Sequence, residues 1–337
     1  MHEESNEPTI QEWLDRMEFE MKARYYAHRT IQSYLGWVRR YLTFFEGERA
    51  IDLHQDGVET YLSHLATYEE LALSTQTKGS AALAFFYHFI VGKPLEETLK
   101  HTRARPKKKI PTVLTRFEIE QILEVVDPRY KLVMQMLYGC GLRLMECLRL
   151  RVKDIDFGQQ MVVVREGKGA KDRVTLLPDA LIEPLTEHLK RVQFLHREDL
   201  TKGYGSVYFS PAMTRKMPYA SKEWKYQYIF PSIRIGKDRK DGEYRRHHLH
   251  ESSLQKAFKI AVGRTNITKA VSLHTFRHSF ATHLLEANVN IRTIQRLLGH
   301  NDLKTTMIYT HVVSAETHKI KSPLDFVDPL DQLNKLV

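Results

Sequence analysis

Five residues of this sequence have side chains that could act together on a phosphodiester. Arg143 and Arg277 supply guanidinium groups, His274 and His300 supply imidazoles, and Tyr309 supplies a phenol. Two arginines can neutralise a phosphate through paired hydrogen bonds. A phenol can act as a nucleophile while a histidine moves a proton. The set therefore predicts attack on a phosphodiester without a metal ion.

The residues around four of these side chains indicate how helices would position them. His274 and Arg277 are three residues apart, so a helix would place both on one face. Gly299 can end a helix over residues 291–298 and leave His300 at its end. Asn301 or Asp302 can cap the next turn, which would keep Tyr309 close to His300.

Arg143 follows two glycines and is predicted to begin a further helix. Gly139 and Gly141 allow a tight backbone turn just before it. Glu146, three residues later, is an available partner for the guanidinium. Taken singly, each of the five residues has a simpler explanation as an ion pair, a helix cap or core packing. The ordered set is what indicates catalysis.

The composition favours a polyanionic partner. The 337 residues include 51 lysines and arginines against 41 acidic residues, a net charge of +10 with neutral histidines. Such a balance suits nucleic acid first and an anionic membrane surface second. No apolar run has the length of a signal peptide or a membrane span, so we expect a soluble, cytoplasmic protein. Cys140 and Cys147 are predicted to be core residues, and no metal site is expected.

The first hundred residues predict a small helical bundle. Thr9 and Glu12 have the spacing of a capping box. The apolar positions over residues 31–45 follow the helical period. Asp56 is predicted to cap a third helix, and residues 74–89 are predicted to form a fourth. Four amphipathic helices of this length can enclose one core.

A basic segment after the bundle predicts an extended linker. Residues 103–112 contain five basic side chains, two prolines and no acidic residue. We expect it to follow a DNA backbone and add salt-sensitive affinity, and a solvated tether is the alternative. Its basic residues are Arg103, Arg105, Lys107, Lys108 and Lys109.

The rest of the chain predicts a mixed domain. Thr115 and Glu118 have the spacing of a second capping box. Residues 161–177 predict a β-hairpin with Lys168 at or near its tip. Residues 200–250 are predicted to be rich in loops, and short helices follow them. The predicted fold class is therefore mainly α with a small β component (α+β).

The ordered set resembles the active-site signature of the tyrosine recombinase family. The matching strings are Gly-Leu-Arg-Leu-Met-Glu at 141–146, His-Thr-Phe-Arg-His at 274–278, Leu-Leu-Gly-His at 297–300 and Ile-Tyr-Thr-His at 308–311. The resemblance implies an N-terminal helical, SAM-like core-binding domain over 1–102, the basic linker over 103–112, a catalytic domain over 113–312 and a tail over 313–337. It also implies that the two domains form a C-shaped clamp on DNA.

The resemblance assigns a role to each of the five residues. It implies that Tyr309 attacks the scissile phosphate, forms a 3′-phosphotyrosine link and releases a 5′-hydroxyl. Arg143 and Arg277 would hold the non-bridging oxygens and stabilise the transition state. His274 would assist proton transfer as the base, and His300 would hydrogen-bond the phosphate.

Three further residues receive supporting roles from the resemblance. Lys168 matches the family's mobile lysine and would protonate the leaving 5′-oxygen, with Lys171 as the rival for that role. Glu146 would orient Arg143. No metal, nucleotide or other cofactor is implied. Additional DNA contacts are expected from Lys171, Arg173, Arg245 and Arg246.

Several strings are similar to those of integron integrases. They lie at 151–157, 166–173 and 305–312, and the extra segment within about 200–250 is a further likeness. Integron integrases recombine gene cassettes at sites folded from one DNA strand into imperfect hairpins, and at a double-stranded integron attachment site. The resemblance implies these partners, a homotetrameric synaptic complex, and a bacterial, nucleoid-associated location.

The extra segment carries candidates for recognising a base that protrudes from such a hairpin. His247 and His248 would pack against or hydrogen-bond the base. One of Trp224, Tyr226 and Tyr228 would stack on it, and Tyr226 is slightly favoured. A base that is already unpaired costs little to hold outside the stack.

Other classes of protein remain as alternatives. A Xer- or phage-type recombinase would act on double-stranded sites, and a type IB topoisomerase-like enzyme would use similar chemistry as a monomer. A DNA-binding protein without activity would have no need for the five residues. The tail over 313–337 would dock on a neighbouring protomer, or else pack on its own domain.

Overall fold

The computed structural model describes residues 8–96, 99, 111–165 and 172–310. The chain divides into two compact units, Met1–Lys109 and Ile110–Val337. The described part is mainly helical with two small antiparallel sheets, which confirms the predicted fold class. No helix among the described residues is both long and apolar enough to cross a bilayer.

The first unit is a helical bundle. The side chain and backbone of Thr9 and Glu12 form the predicted capping box at the start of the first helix. The aromatic core includes Tyr41 and Tyr87, whose hydroxyl groups lie 2.7 Å apart. The helices are α1 (Ile10–Ala23), α2 (His28–Phe44), α3 (Ala50–Thr67) and α4 (Leu73–Phe85), followed by a π-helical turn over Phe86–Val91.

The prediction for Asp56 as a helix cap is wrong. The third helix already begins at Ala50, and Asp56 lies inside it. The helix is kinked at His54, whose φ is +31°. The backbone leaves helical geometry at His54, two residues before Asp56, so Asp56 lies just after the kink and inside the helix.

The second unit contains nine helices and five strands among its described residues, apart from short 3₁₀ turns. Thr115 and Glu118 form the predicted second capping box. The helices are α5 (Arg116–Val125), α6 (Pro128–Gly139), α7 (Leu144–Arg149), α8 (Asp179–Thr201), α9 (Pro211–Lys216), α10 (Glu251–Val262), α11 (Leu273–Glu286), α12 (Ile291–Leu298) and α13 (Lys304–Met307). The strands are β1 (Ile155–Asp156), β2 (Met161–Val164), β3 (Arg173–Leu176), β4 (Pro231–Lys237) and β5 (Tyr244–His248).

The predicted hairpin is part of a three-stranded antiparallel sheet. Its order is β1-β2-β3, and Val163 pairs with Val174. Val162 and Val164 point into the core of the unit. Cys140 and Cys147 are free thiols in the same core, as predicted, and burial raises the pKa of Cys140 to about 12.

The segment over 200–250 is more ordered than predicted. The strands β4 and β5 pair as an antiparallel hairpin. Val207, Ala220 and Tyr226 form a small apolar cluster, and Phe209, Met217 and Tyr228 pack against it. We call residues 202–250 the insertion. It has a core of its own because its apolar residues are clustered in space although they are scattered along the chain.

Candidate active site

A glycine turn and a carboxylate position Arg143. Gly141 has a φ of +61°, and the ring of Phe280 packs where a side chain at this position would begin. The backbone N–H of Arg143 donates to Glu146 Oε2 at 2.8 Å, and its guanidinium donates to Oε1 at 2.7 Å. The side chain of Arg143 is 27% exposed, so part of it remains accessible.

Glu146 bridges several arginines. It accepts two hydrogen bonds from Arg173, at 2.8 and 2.6 Å, and lies 3.8 Å from Arg277. Burial alone would raise the pKa of Glu146. The hydrogen bonds and charge of Arg173, together with the contacts to Arg143, outweigh burial and lower that pKa to about 2. The carboxylate is therefore ionised at any pH at which the protein is expected to work.

The structure gives Arg173 an internal position, in contrast to the predicted DNA contact. Its side chain is only 9% exposed. Besides the bidentate pair with Glu146, its Nε donates to the carbonyl of Leu297 at 2.9 Å. The guanidinium links β3 to the end of α12 and is occupied by protein acceptors, so its place is structural.

Arg277 lies at the centre of the site and is almost fully buried. Its guanidinium donates to the carbonyl of Gly141 at 2.8 Å and to that of Leu298. Burial lowers its pKa, and the charge of Arg143 adds to this, to about 9. That value still leaves the guanidinium charged at neutral pH. The two carbonyl contacts tie α11 to the turn before Arg143 and to the end of α12.

His300 follows the predicted glycine cap. Gly299 ends α12 with a φ of +63°. The Nδ1 atom of His300 lies 2.9 Å from the hydroxyl of Thr306, and its ring is parallel to that of Tyr309 at 6.3 Å. Burial lowers the pKa of His300 to about 4, and the charge of Arg277 adds to this effect. The imidazole is therefore neutral at neutral pH.

Tyr309 is buried at the end of the described chain. It packs with apolar residues of α11 and α12, among them Phe280 and Ile294. Its hydroxyl lies 3.0 Å from Nδ1 of His278. Burial raises the pKa of Tyr309, while the charges of Arg277 and Arg143 oppose that rise. The phenol is therefore protonated at neutral pH, and a histidine lies beside its hydroxyl.

His278 is a residue of the site that sequence reasoning missed. It lies one helical turn after His274 on α11, and the two rings meet edge to face at 4.5 Å. Burial lowers the pKa of His278 to about 4, with further effects from His274 and Arg277, and burial also lowers the pKa of His274. The spacing of four residues between His274 and His278 was the available signal, since it puts both on one helix face.

The structure brings the five predicted residues into one neighbourhood. They come from the α6–α7 turn, from α11, from the end of α12 and from the residues after α13. Lys168 and Lys171 lie outside the described residues, as do the five basic residues of the predicted linker and the tail over 313–337.

The predicted DNA contacts of Arg245 and Arg246 are not supported by their positions. Arg245 is 5% exposed and pairs with Asp238 and Asp241, each at 2.9 Å. Arg246 donates to both oxygens of Asp199 at 2.6 and 2.8 Å. These guanidiniums are already occupied by carboxylates of the insertion and of α8, and they fix the β4–β5 hairpin internally.

His247 and His248 lie on β5 beside Tyr228. The rings of His247 and Tyr228 are nearly parallel at 6.2 Å, and that of His248 meets Tyr228 edge to face at 5.3 Å. His247 is hydrogen-bonded to Asp238 at 3.0 Å, and its side chain is 45% exposed. These three aromatic rings form a continuous, partly open surface, which we call the ring cluster.

Tyr226, the aromatic favoured from sequence, is instead part of the core of the insertion. It is 8% exposed, packs edge to face on Phe209, and has the ammonium of Lys153 over its ring at 4.6 Å. Trp224 is half-buried and lies against His196. The position of Tyr226 leaves no free ring face for a base.

Comparison with known families and proteins identifies the family of this chain. The model of the phage integrase family matches residues 112–316, and that of the phage integrase N-terminal SAM-like domain matches residues 13–97. An integrase/recombinase of Escherichia coli is 40% identical over 317 residues, which cover 94% of each chain. Tyrosine recombinase XerA of Thermococcus kodakarensis is 31% identical over 332 residues, which cover 97% of this chain and 98% of the relative.

Solved structures show the same fold at low sequence identity. A Tn1549 transposon integrase in complex with transposon end DNA has a TM-score of 0.62 and 15% identity, covering 91% of this chain and 97% of that one. A lambda integrase tetramer bound to a Holliday junction has a TM-score of 0.61 and 15% identity, covering 90% and 78%. With the family match over more than half of the sequence, these findings show that the chain belongs to the tyrosine recombinase family, whose enzymes exchange DNA strands by site-specific recombination.

Proposed function

We propose that this chain is an integron integrase that cuts and rejoins DNA through a 3′-phosphotyrosine formed on Tyr309. The observation that carries the chemical part is the placement of this phenol among neutral imidazoles and next to two arginine charges. A protonated phenol beside a hydrogen-bond acceptor can lose its proton as it attacks. Arginine charges close by can stabilise the negative phosphorane that results.

The proposed roles follow from the exposure of Arg143 and from the hydrogen bonds that the other side chains make. Arg143 is partly exposed and can bind a non-bridging phosphate oxygen directly. Arg277 uses two of its five N–H hydrogens on the carbonyls of Gly141 and Leu298, so it keeps donors for the phosphate. Glu146 fixes the positions of the Arg143 and Arg173 guanidiniums by accepting a hydrogen bond from each. His300 would donate to the phosphate from the nitrogen that does not face Thr306.

The leaving 5′-oxygen needs a proton, and we propose Lys168 as its source, with Lys171 as the rival. Both lie in the sequence between β2 and β3, and β3 begins at Arg173, which bonds to Glu146 in this site. A substrate with sulfur in place of the leaving oxygen needs no acid, because a thiolate leaves without protonation. The alanine variant of the true acid should therefore cleave the sulfur substrate normally and the oxygen substrate slowly.

The proposed hairpin specificity rests on the insertion. The ring cluster of Tyr228, His247 and His248 offers aromatic faces and polar edges on one strand and its neighbouring turn. Stacking of a base on an aromatic side chain contributes about 1–3 kcal/mol and tolerates any base. We therefore assign the stacking role to His247, whose side chain is 45% exposed, with Tyr228 and His248 packed beside it. The guanidinium of Arg151 lies 4.8 Å from the centre of the Tyr228 ring, so Tyr228 supports the cluster and does not replace Tyr226 as the stacking ring.

A Xer- or phage-type enzyme acting on duplex sites is the second candidate. The 31% identity to tyrosine recombinase XerA of Thermococcus kodakarensis supports it, whereas the name of the integrase/recombinase of Escherichia coli is compatible with either candidate. The two candidates share the chemistry at Tyr309 and differ in the shape of the DNA that they bind.

Covalent trapping on nicked suicide substrates tests both parts of the proposal. The protein is incubated with a folded bottom-strand hairpin that has protruding bases and with the matching perfect duplex. A denaturation-resistant adduct formed mainly with the hairpin supports the integron function, and one formed equally well with the duplex supports the second candidate. Tyr309→Phe should bind DNA and give no adduct. An adduct with this variant would show that another residue is the nucleophile.

Variants of the ring cluster test the role of the insertion in the same assay. His247→Ala with His248→Ala should weaken hairpin binding more than duplex binding, because only the hairpin presents an unpaired base. His250→Ser is the matched control, since this exposed neighbour caps α10 and serine can keep the cap. Equal losses on the two substrates would exclude a base-binding role.

A further inference from the structure

The hydroxyl of Tyr309 has one hydrogen-bond partner among the described side chains, and that partner is His278. Nδ1 of His278 lies 3.0 Å from the phenolic oxygen, which is the distance expected of a direct hydrogen bond. His278 is half-buried, and α11 fixes its backbone between the buried residues Arg277 and Ser279. The contact therefore joins two side chains that the fold holds in place.

The family resemblance assigns the role of base to His274. His274 contacts His278, and His278 in turn contacts the phenol. The ring of His274 packs against His278 and has an exposed edge towards solvent. No hydrogen bond between His274 and Tyr309 is present in the part of the chain that the structure describes. His274 is therefore suited to the phosphate, while His278 is the imidazole at the nucleophile.

We propose that His278 is the general base that takes the proton of Tyr309 during cleavage, which rests on the proposed nucleophilic role of Tyr309. As the phenolic oxygen forms its bond to phosphorus, its proton moves to Nδ1 of His278. The bond from phosphorus to the 5′-oxygen breaks, and that oxygen takes a proton from the general acid proposed above. In rejoining, the 5′-hydroxyl gives its proton back to the general acid and attacks phosphorus, the phenolic oxygen leaves, and the imidazolium of His278 returns the proton to it. The step needs no metal, oxidant or further reactant.

The surroundings of His278 suit this role. The imidazole is neutral in the free protein, because burial and the nearby charge of Arg277 disfavour its protonated form. A neutral imidazole can accept the phenolic proton at Nδ1 while its other nitrogen carries a hydrogen. A phosphate anion bound between the arginines would offset their charge and make the imidazole more basic as the reaction begins.

The same helix provides a matched control for the test. His283 also stands on α11, and its Nδ1 lies 2.8 Å from the hydroxyl of Tyr138. This histidine–tyrosine pair has the same chemistry as His278 with Tyr309. Tyr138 packs on the apolar cluster that contains Tyr309, but among the described residues no hydrogen bond or ring contact joins His283 to Tyr309 or to the two arginines. Replacing His283 therefore measures the cost of losing such a bond on this helix.

The test is the single-turnover rate of adduct formation on the suicide substrate. His278→Asn places an amide oxygen where Nδ1 stood, so it can accept the phenol's hydrogen bond but cannot take its proton. We expect this variant to bind DNA normally and form adduct roughly 100- to 10,000-fold more slowly, the usual range for loss of a general base. His278→Ala should be equally slow and should regain activity with added imidazole. His283→Asn should keep the rate within about twofold at equal folded fraction, since the hydrogen bond of His283 goes to Tyr138 and not to Tyr309.

Two results would overturn the inference. Adduct formation by His278→Asn close to the wild-type rate would mean that the bond only orients the phenol. Failure of imidazole to accelerate His278→Ala, with that variant folded and binding DNA, would exclude proton transfer through this position. Tyr309→Phe keeps the two proposals apart, because an adduct with that variant would disprove the nucleophile assignment, whereas His278→Asn bears only on the base.

Discussion

At the scale of single residues, Glu146 organises the electrostatics of the site. Arg143, Arg173 and Arg277 all lie within reach of its carboxylate, so one anion offsets part of the mutual repulsion of three cations. Its low pKa shows that the arginines overcome the cost of burial. Removing one partner of a buried ion pair leaves uncompensated charge, which typically costs about 3–5 kcal/mol.

Glu146→Gln should therefore lower the free energy of unfolding, and the loss should depend on pH. The folded-state pKa of about 2 lies below the ordinary value of 4.5, so this stabilisation is present above pH 4.5 and disappears as pH falls towards 2. The shift corresponds to on the order of 3 kcal/mol. Urea unfolding of wild type and variant should show a constant difference from pH 7 to 5 and a shrinking one below pH 4.5.

Glu118→Gln is the control for the loss of a helix cap. Glu118 holds the same position in the capping box of α5 and pairs with Lys269 on the surface. It should cost about 1 kcal/mol or less, since exposed pairs and caps contribute little. If both variants lost the same stability, Glu146 would act only as a cap.

The five catalytic candidates could be found from the sequence because each lies in a recognisable short string. The contact of His278 with Tyr309 could not be predicted in this way. A histidine on a helix is usually a packed or surface residue, and nothing in the string around it shows which residue meets Tyr309, 31 positions later. Burial of Tyr309 against α11 creates that contact. Arg173 was misassigned for the same reason, since its partner Glu146 lies on another element.

At the scale of elements, local signals were predictive apart from the cap expected at Asp56, and distant pairings were not predicted. The capping boxes at Thr9 and Thr115 and the glycine cap at Gly299 depend on residues three or four apart, and the structure contains all three. The β4–β5 hairpin was missed because its strands are rich in charged residues. Buried pairing of Arg245 with Asp238 and Asp241 makes such a strand stable.

The turn before Arg143 is the element on which the site depends most. A side chain at Gly141 would lie 2.4 Å from the ring of Phe280 and would have to adopt a φ of +61°. Gly141→Ala should cost more than the 1–2 kcal/mol typical of left-handed strain, because overpacking adds about 1–3 kcal/mol. It should also slow cleavage, since the carbonyl of Gly141 accepts from Arg277.

Gly203→Ala separates strain from clash in the same unit. Gly203 has a φ of +86° with nothing near the position of an added side chain. Thermal unfolding and adduct formation should show a small loss of stability and normal cleavage for this variant. Similar behaviour of the two variants would mean that the contact with Phe280 does not hold the turn.

The insertion offers a test of internal against DNA-facing arginines. Arg245→Ala should destabilise the protein, because Asp238 is 4% exposed and would lose its main partner. The dependence of DNA affinity on salt should stay unchanged, whereas a lost phosphate contact lowers its slope by about one. Adding Asp238→Asn should recover part of the stability. Unchanged stability with a smaller salt slope would instead restore Arg245 as a DNA contact.

At the scale of the whole molecule, the site exists only when most of the second unit is folded. Arg277 on α11 bonds to Gly141, which precedes it by 136 residues, and to Leu298 at the end of α12. Arg173 joins β3 to both Glu146 and Leu297. Destabilising changes far from the site should therefore reduce cleavage through these ties, whereas the first unit contributes no residue to the proposed chemistry.

Assembly of several molecules on DNA is expected to depend on the C-terminal tail. The tail over 313–337 has apolar residues at helical spacing, including Leu324, Val327 and Leu330. If it docks on a neighbouring protomer, a chain that ends at Val312 should bind a single site normally but form few synaptic tetramers on DNA. Mass photometry with one-site and two-site DNA would measure both.

The control replaces a polar residue of the same tail: Gln332→Ala should leave tetramer formation intact. Packing of the tail on its own domain predicts a different result for the shortened chain, because the apolar surface it covered would then be exposed within one molecule. The shortened chain would then have a lower free energy of unfolding and would still form tetramers. Lower stability with normal tetramers would therefore place the tail on its own domain, and normal stability with lost tetramers would place it on the neighbour.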